Sequence, residues 1–126
     1  MSPRLPELSR FEIECLRHLW NHGEASVRDI HRELPEPPTY STVRKIFERL
    51  EEKGAIERVR QEGQAWIYRS TVSARAMIRK EIERLLQILF DGAGSPLVAH
   101  LVGMKAVSLE ELRELERTMR RKRRRS

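Results

Sequence analysis

The sequence predicts a mainly α fold with one small antiparallel β-hairpin, and three observations predict it. Three segments within the first 54 residues repeat apolar side chains at helical spacing, each with a hydroxyl residue in front and glycine or proline behind. Next, "IERVRQ" and "AWIYR" flank the polar tip "EGQ" at 62–64, as two strands flank a turn. After residue 72 the chain becomes too apolar along its helical stretches for one isolated helix to remain in water.

The elements follow in order. Ser9 with Glu12 three residues on is a capping-box signature, opening a helix whose Ile13, Leu16, Leu19 and Trp20 fall on one side. "NHG" at 21–23 stops it. Ser26, followed by Val27, Ile30 and Leu34, opens a shorter helix that "PEPP" at 35–38 ends. In "PPTYSTVRKIFERLEEKG", residues 37–54, Val43, Ile46, Phe47 and Leu50 form the buried stripe of a third helix, and Gly54 takes the C′ position. In the hairpin, Ile56 and Val59 differ in parity, so the first strand alternates poorly, while Trp66, Ile67 and Tyr68 give the second its β character. Three short helices followed by a hairpin is the order of a winged helix-turn-helix domain, expected over residues 1–72.

Residues 73–91 carry Met77, Ile78, Ile82, Leu85, Leu86, Ile88, Leu89 and Phe90. "GAGSP" breaks this run and "LVAHLV" adds a short apolar turn or two, including Leu97 and Leu101. Ser108 and Glu111 form another capping box, after which Leu109, Leu112, Leu115 and Met119 continue a narrow stripe. A domain of about 70 residues with its own core has no room to cover this surface, so two copies are expected to pack together. Residues 73–119 are therefore read as a helical dimerisation arm, with Ile82, Leu85, Leu86, Leu89, Leu97, Leu101, Leu112 and Leu115 at the interface. Residues 120–126 form a basic C-terminal tail, expected to be frayed. It reads equally as a solvated charge block and as a sequence-independent, salt-sensitive grip on DNA.

The totals narrow the classes. The chain has 126 residues and a formal charge of +6, yet residues 1–72 hold 12 Lys and Arg against 12 Asp and Glu. Residues 73–126 hold 13 against 7, with six of the bases in "RRKRRR" at 120–125. Placement of charge, rather than its total, must argue for a nucleic-acid partner. No run of eighteen apolar residues is present, "MSPRLPELSR" lacks the apolar core of a secretory signal, and the single Cys15 suits a reducing compartment, so a cytoplasmic protein is expected.

The third helix carries the most pointed signal. Its exposed side begins with Ser41, Thr42, Arg44 and Lys45, and acids appear only from Glu48, although the macrodipole favours carboxylates in a first turn. In a helix-turn-helix that end meets phosphates and base edges, where a carboxylate would repel the partner. Tyr40, Ser41 and Thr42 offer hydroxyls, and Arg44 and Lys45 reach guanine or the backbone. Of the wing's Arg58, Arg60, Gln64 and Arg69, Arg60 and Gln64 are the better phosphate candidates.

Cys15, His18 and His22, at i, i+3 and i+7, lie near one helix face, but no second cluster completes four ligands, and no metal or other cofactor is assigned. His31 and His100 are isolated. There is no Gly-rich phosphate loop, H-E-x-x-H or G-x-S-x-G, so an enzyme is not expected. Two other classes remain open. A ligand- or metal-responsive winged-helix sensor would show zinc-dependent DNA release, and a protein-interaction module would tolerate Thr42→Asp and Lys45→Glu.

The chain resembles the BlaI/MecI family of bacterial penicillinase repressors. The resemblance runs through "LSRFEIECLRHLWNHGEASVRDIHREL", "YSTVRKIFERLEEKGAIER" and "AWIYRSTVS", and more loosely through "SPLVAHLV" and "VSLEELRELERTM". It implies a homodimer that binds a palindromic double-stranded DNA operator and blocks transcription. It places the DNA contacts at Ser41, Thr42, Arg44 and Lys45, with Arg60 and its neighbours from the wing. Antibiotic-responsive members carry an Asn-Phe bond in the arm, cut by a membrane-bound sensor protease. Here the matching place reads His100-Leu101, so the resemblance does not extend to that protease as a partner. The cysteine pairs of copper-responsive relatives are also missing.

Overall fold

A computed structural model describes residues 5–35 and 38–125, so Glu36 and Pro37 of the "PEPP" stop, like residues 1–4 and Ser126, lie outside the described residues. Helix α1 (Arg10–His22) starts with the capping box in place: Ser9 Oγ accepts from the Glu12 amide, and Glu12 Oε1 accepts from the Ser9 amide. Glu12 is 2% exposed and also receives Lys53 Nζ at 2.9 Å, which ties the start of α1 to the end of the third helix. Burial opposes ionisation of this carboxyl, but the Lys53 ammonium and the Ser9 donors outweigh it and hold its pKa below 4.5.

Strand β1 (Glu24–Ala25) follows Gly23, and α2 (Val27–Glu33) opens with a second capping box between Ser26 and Asp29. Helix α3 (Tyr40–Glu52) buries Val43, Ile46, Phe47 and Leu50, and its N-cap is Thr39. It ends as expected of a glycine C′: Gly54 adopts φ +76°, and the amide of Ala55 reaches back to the Leu50 carbonyl at 2.9 Å.

Strands β2 (Ile56–Glu62) and β3 (Ala65–Ser70) pair antiparallel, and β1 joins the far edge, giving the order β1-β3-β2. The parity conflict in β2 has a physical cause. Arg58 pairs with Tyr68 but Arg60 with Ile67, so Val59 is an extra residue, a β-bulge that reverses the alternation midway. Strand β1 has no counterpart among the expected elements, because two residues between two helices carry no periodicity to read.

The core of this part joins Leu16 and Leu19 of α1, Ile30 of α2, the α3 stripe, Ile56, Tyr68 and Met77. Phe47 and Tyr68 meet edge to face at 5.2 Å between ring centroids. Trp20 Nε1 donates to Ser70 Oγ and to the Val72 carbonyl, fastening α1 to the end of the hairpin. The mainly helical fold with a small antiparallel sheet is that expected from the sequence.

The chain divides into two compact units, Met1–Arg79 and Lys80–Ser126, and α4 (Ala74–Phe90) contributes its first turns to one and the rest to the other. The second unit continues with α5 (Gly94–Gly103) and α6 (Leu109–Arg125). Bond His100-Leu101 lies inside α5, and the His100 ring sits 5.7 Å from that of Phe90. The Ser108–Glu111 box opens α6. The expected fraying of the tail is not found: α6 is helical through Arg125, carried by the ion pairs Arg117–Glu114 and Arg120–Glu116 on its preceding turns.

No side chain among residues 80–125 is buried. Ile82, Leu85, Leu89 and Leu115 are exposed, Leu89 at 68%, while Leu86, Leu97, Leu101 and Leu112 are half-buried. Among the described residues no single helix is long and apolar enough to cross a membrane.

Candidate nucleic-acid interface

The site is built on α3. Its stripe of Val43, Ile46, Phe47 and Leu50 anchors one face in the core, which turns Ser41, Arg44 and Lys45 outward. The first turn contains no acid, so the partial positive charge of the helix start is unopposed there. Thr39 Oγ1 accepts from the Thr42 amide at 3.2 Å and lies 2.9 Å from Thr42 Oγ1. The Thr42 hydroxyl is thus partly engaged in the cap, and Ser41 and Thr42 are both exposed residues. Tyr40 is 41% exposed and is steadied by the ring of His31, 5.9 Å away and perpendicular. His31 Nε2 is also 2.9 Å from the Pro38 carbonyl, so this residue, isolated in the sequence, ties α2 to Pro38 just ahead of the α3 cap.

Arg44 makes a loose pair with Glu48 at 3.7 Å, exposed on both sides, and Lys45 forms no ion pair among the described residues. Both cations are available to a partner.

A groove of about 620 Å³ runs between the α2–α3 pair and the wing, lined by Ser26, Arg28, Tyr40, Arg44, Glu48, Arg58, Gln64 and Trp66. Gln64 stands at its edge, exposed, beside the hairpin tip. Arg58 lies over the Trp66 ring at 4.8 Å and pairs with Glu51 at 3.0 Å, so its guanidinium is held in a fixed orientation. Arg28, on the second residue of the capped α2, faces the same groove and is not among the residues the sequence singles out. The Ser26 cap is the available signal, since a cation just inside a helix start sits where the dipole does not favour it.

Arg60 is placed differently from the other candidates. Its Nη1 lies 2.6 Å from Glu24 and its Nε 2.9 Å from Glu62, and these two hydrogen-bonded carboxylates raise its pKa. It does not line the groove, and its charge is already met by two acids. The bulge at Val59 sets this orientation by turning Arg60 toward β1. No local pattern links Arg60 to Glu24, 36 positions away.

Cys15 is buried at 2% exposure, and burial followed by the charges of Glu14 and Glu12 pushes its thiol up to about 11. His18 Nδ1 and His22 Nε2 instead share the Glu33 carboxylate, at 3.3 and 2.7 Å, which fastens α1 to α2; the His22 hydrogen bond holds Glu33 below its ordinary pKa. Among the described residues no group of three or more His, Cys, Asp or Glu side chains is placed to hold a metal ion.

Helix order, the three-stranded sheet and an outward-facing α3 define a winged helix-turn-helix protein. A family model described as penicillinase repressor matches residues 8–121, and the chain belongs to that family, one of repressors and not of enzymes. It is 25% identical over 114 residues to the penicillinase repressor of Bacillus licheniformis, covering 89% of this chain and 88% of the relative. The solution structure of the DNA-binding domain of the repressor BlaI matches with a TM-score of 0.51 at 23% identity, over 58% of this chain and 90% of that one. A mutant MarR from E. coli, complexed with operator DNA, matches with a TM-score of 0.53 at 15% identity, over 91% of this chain and 75% of that one. These two structural likenesses bear on the fold.

Proposed function

We propose that the chain is a cytoplasmic, DNA-binding transcriptional repressor that acts as a homodimer on a palindromic operator. The observation that carries this reading is the exposed, acid-free start of α3, where Tyr40, Ser41, Thr42, Arg44 and Lys45 stand over a buried stripe. Such a helix start presents donors and cations to a major groove, with only the loose, exposed Arg44–Glu48 contact to give up. The groove beside it supplies Arg28, Arg58 and Gln64 for the adjoining backbone. The names of the relative and of the BlaI and MarR structures, with repressor and operator DNA among them, support the same reading.

In this proposal residues 1–72 bind DNA and residues 73–119 hold the dimer. The uncovered Ile82, Leu85, Leu89 and Leu115 support the second assignment, with Leu86, Leu97, Leu101 and Leu112 half-buried beside them. A second copy is the simplest cover for such a surface. The experiment is selection of genomic fragments by the purified protein at about physiological salt, where purely electrostatic binding weakens. Recovery of one palindromic motif is expected. Featureless DNA, or none, would remove α3 from the role of reader and favour a protein-interaction module.

A further inference from the structure

We infer that Glu48, on the outer face of α3, is a specificity-determining residue whose carboxylate accepts a hydrogen bond from the N4 amino group of a cytosine in the major groove. This assignment rests on the DNA-binding reading and names a base that it recognises. At about 100° per residue, Ser41, Lys45 and Glu48 fall within about 60° of one another, on the side opposite the buried stripe of Val43, Ile46, Phe47 and Leu50. All three are exposed, so Glu48 stands in line with the groups that meet the DNA. Two acids line the groove beside α3, Glu48 and Glu62, and Glu62 is held by Arg60 at 2.9 Å. Glu48 has only the loose contact with Arg44 Nε at 3.7 Å, with side chains 57% and 62% exposed. Such a pair adds little to the helix, because it is solvated and has its cation on the N-terminal side, the weaker order.

The chemistry of the carboxylate selects the base. It offers acceptors only, so phosphate oxygens, guanine O6 and N7 and thymine O4 all repel it. Two donors are displayed in the major groove, cytosine N4 and adenine N6, and adenine sets its N7 acceptor beside N6. Cytosine is the base that presents a donor without an acceptor of its own. On binding, the Arg44–Glu48 contact opens: the guanidinium turns to a guanine, and the carboxylate it leaves turns to the cytosine. Four residues of helix advance ~6 Å, and successive bases on one strand are ~3.4 Å apart, so the two bases lie within about two base pairs of each other. A carboxylate placed here lowers affinity for every sequence that lacks the matching donor, and so discriminates by repulsion as well as by attraction.

The test uses the full chain and its E48A, E48Q, E52Q and R44A variants, in competition binding to duplexes that carry each of the four base pairs in turn at every position of the selected motif. The native chain is expected to prefer cytosine at one position of each half-site by roughly tenfold. E48A is expected to lose that preference while binding unrelated duplexes more tightly. E48Q is expected to turn it toward adenine, because an amide matches N6 and N7 together. E52Q changes an acid one turn farther on that does not line the groove, and keeps the native pattern. R44A is expected to lose a guanine within two base pairs and to keep the cytosine. Retention of the cytosine preference by both E48A and E48Q overturns the inference. So does loss in E48A of the guanine that R44A loses, with cytosine unaffected, since Glu48 would then only position Arg44. Failure of the operator reading shows separately, as a native chain with no base preference at any position.

Discussion

Arg44 and Arg60 carry the same charge but have different surroundings. Arg44 has one loose partner on its own helix, whereas Arg60 is held by Glu24 and Glu62. Replacing Arg44 with alanine is expected to weaken operator binding by ~1–3 kcal/mol, a cost characteristic of a base contact, with a smaller loss on random duplex. Arg60→Ala is expected to cost less than Arg44→Ala, because the native guanidinium must leave two carboxylates to reach a phosphate; titrations on both duplexes decide. Glu12 makes a prediction about stability. Its folded pKa is depressed, so its contribution is present above about pH 4.5 and is lost as pH falls through the lower folded value. Glu12→Gln is expected to destabilise by ~1–2 kcal/mol at pH 7 through loss of the charged partner of Lys53, with the deficit narrowing in acid. Urea unfolding at pH 7 and pH 3 checks both halves, and an equal deficit at the two values would count against the assignment.

Element boundaries are legible wherever a local rule sets them. Ser9, Ser26, Gly54 and Ser108 each do at a helix end what their chemistry predicts. The parity conflict between Ile56 and Val59 is visible in the sequence, but the bulge that resolves it depends on pairing with β3. The same limit applies to the interface. The α3 turn can be read from 18 consecutive letters, while the groove needs Arg28, Arg58 and Trp66 brought together from three elements, and the Arg60–Glu24 pair links residues far apart in sequence. The tail departs from the expected fraying in being helical through Arg125, with Arg120 beside Glu116 and Arg121 near Glu114. Gly54→Ala tests the α3 terminus in isolation. A methyl there meets nothing within 4 Å, so the expected loss of ~1–2 kcal/mol in thermal unfolding reflects only the left-handed backbone at φ +76°.

At the scale of the molecule, the two units are built unlike one another. The described residues up to Arg79 enclose a core, whereas residues 80–125 bury no side chain fully. Leu85→Asp is expected to give a monomer in analytical ultracentrifugation, with the thermal transition of the winged-helix part retained; persistence of the dimer would remove α4 from the interface. If two α3 helices enter successive major grooves, the half-sites are ~34–36 Å apart, and inserting half a helical turn between them should abolish cooperative binding in a gel-shift titration. The uncovered apolar helices also carry a quantitative consequence. In the homodimer proposed, a chain whose rear half finds its partner only in another chain responds to its own abundance. When single chains predominate, the occupied fraction of the operator rises with the square of the number of molecules in the cell, so dilution at division or slower synthesis releases the gene more sharply than a monomer would.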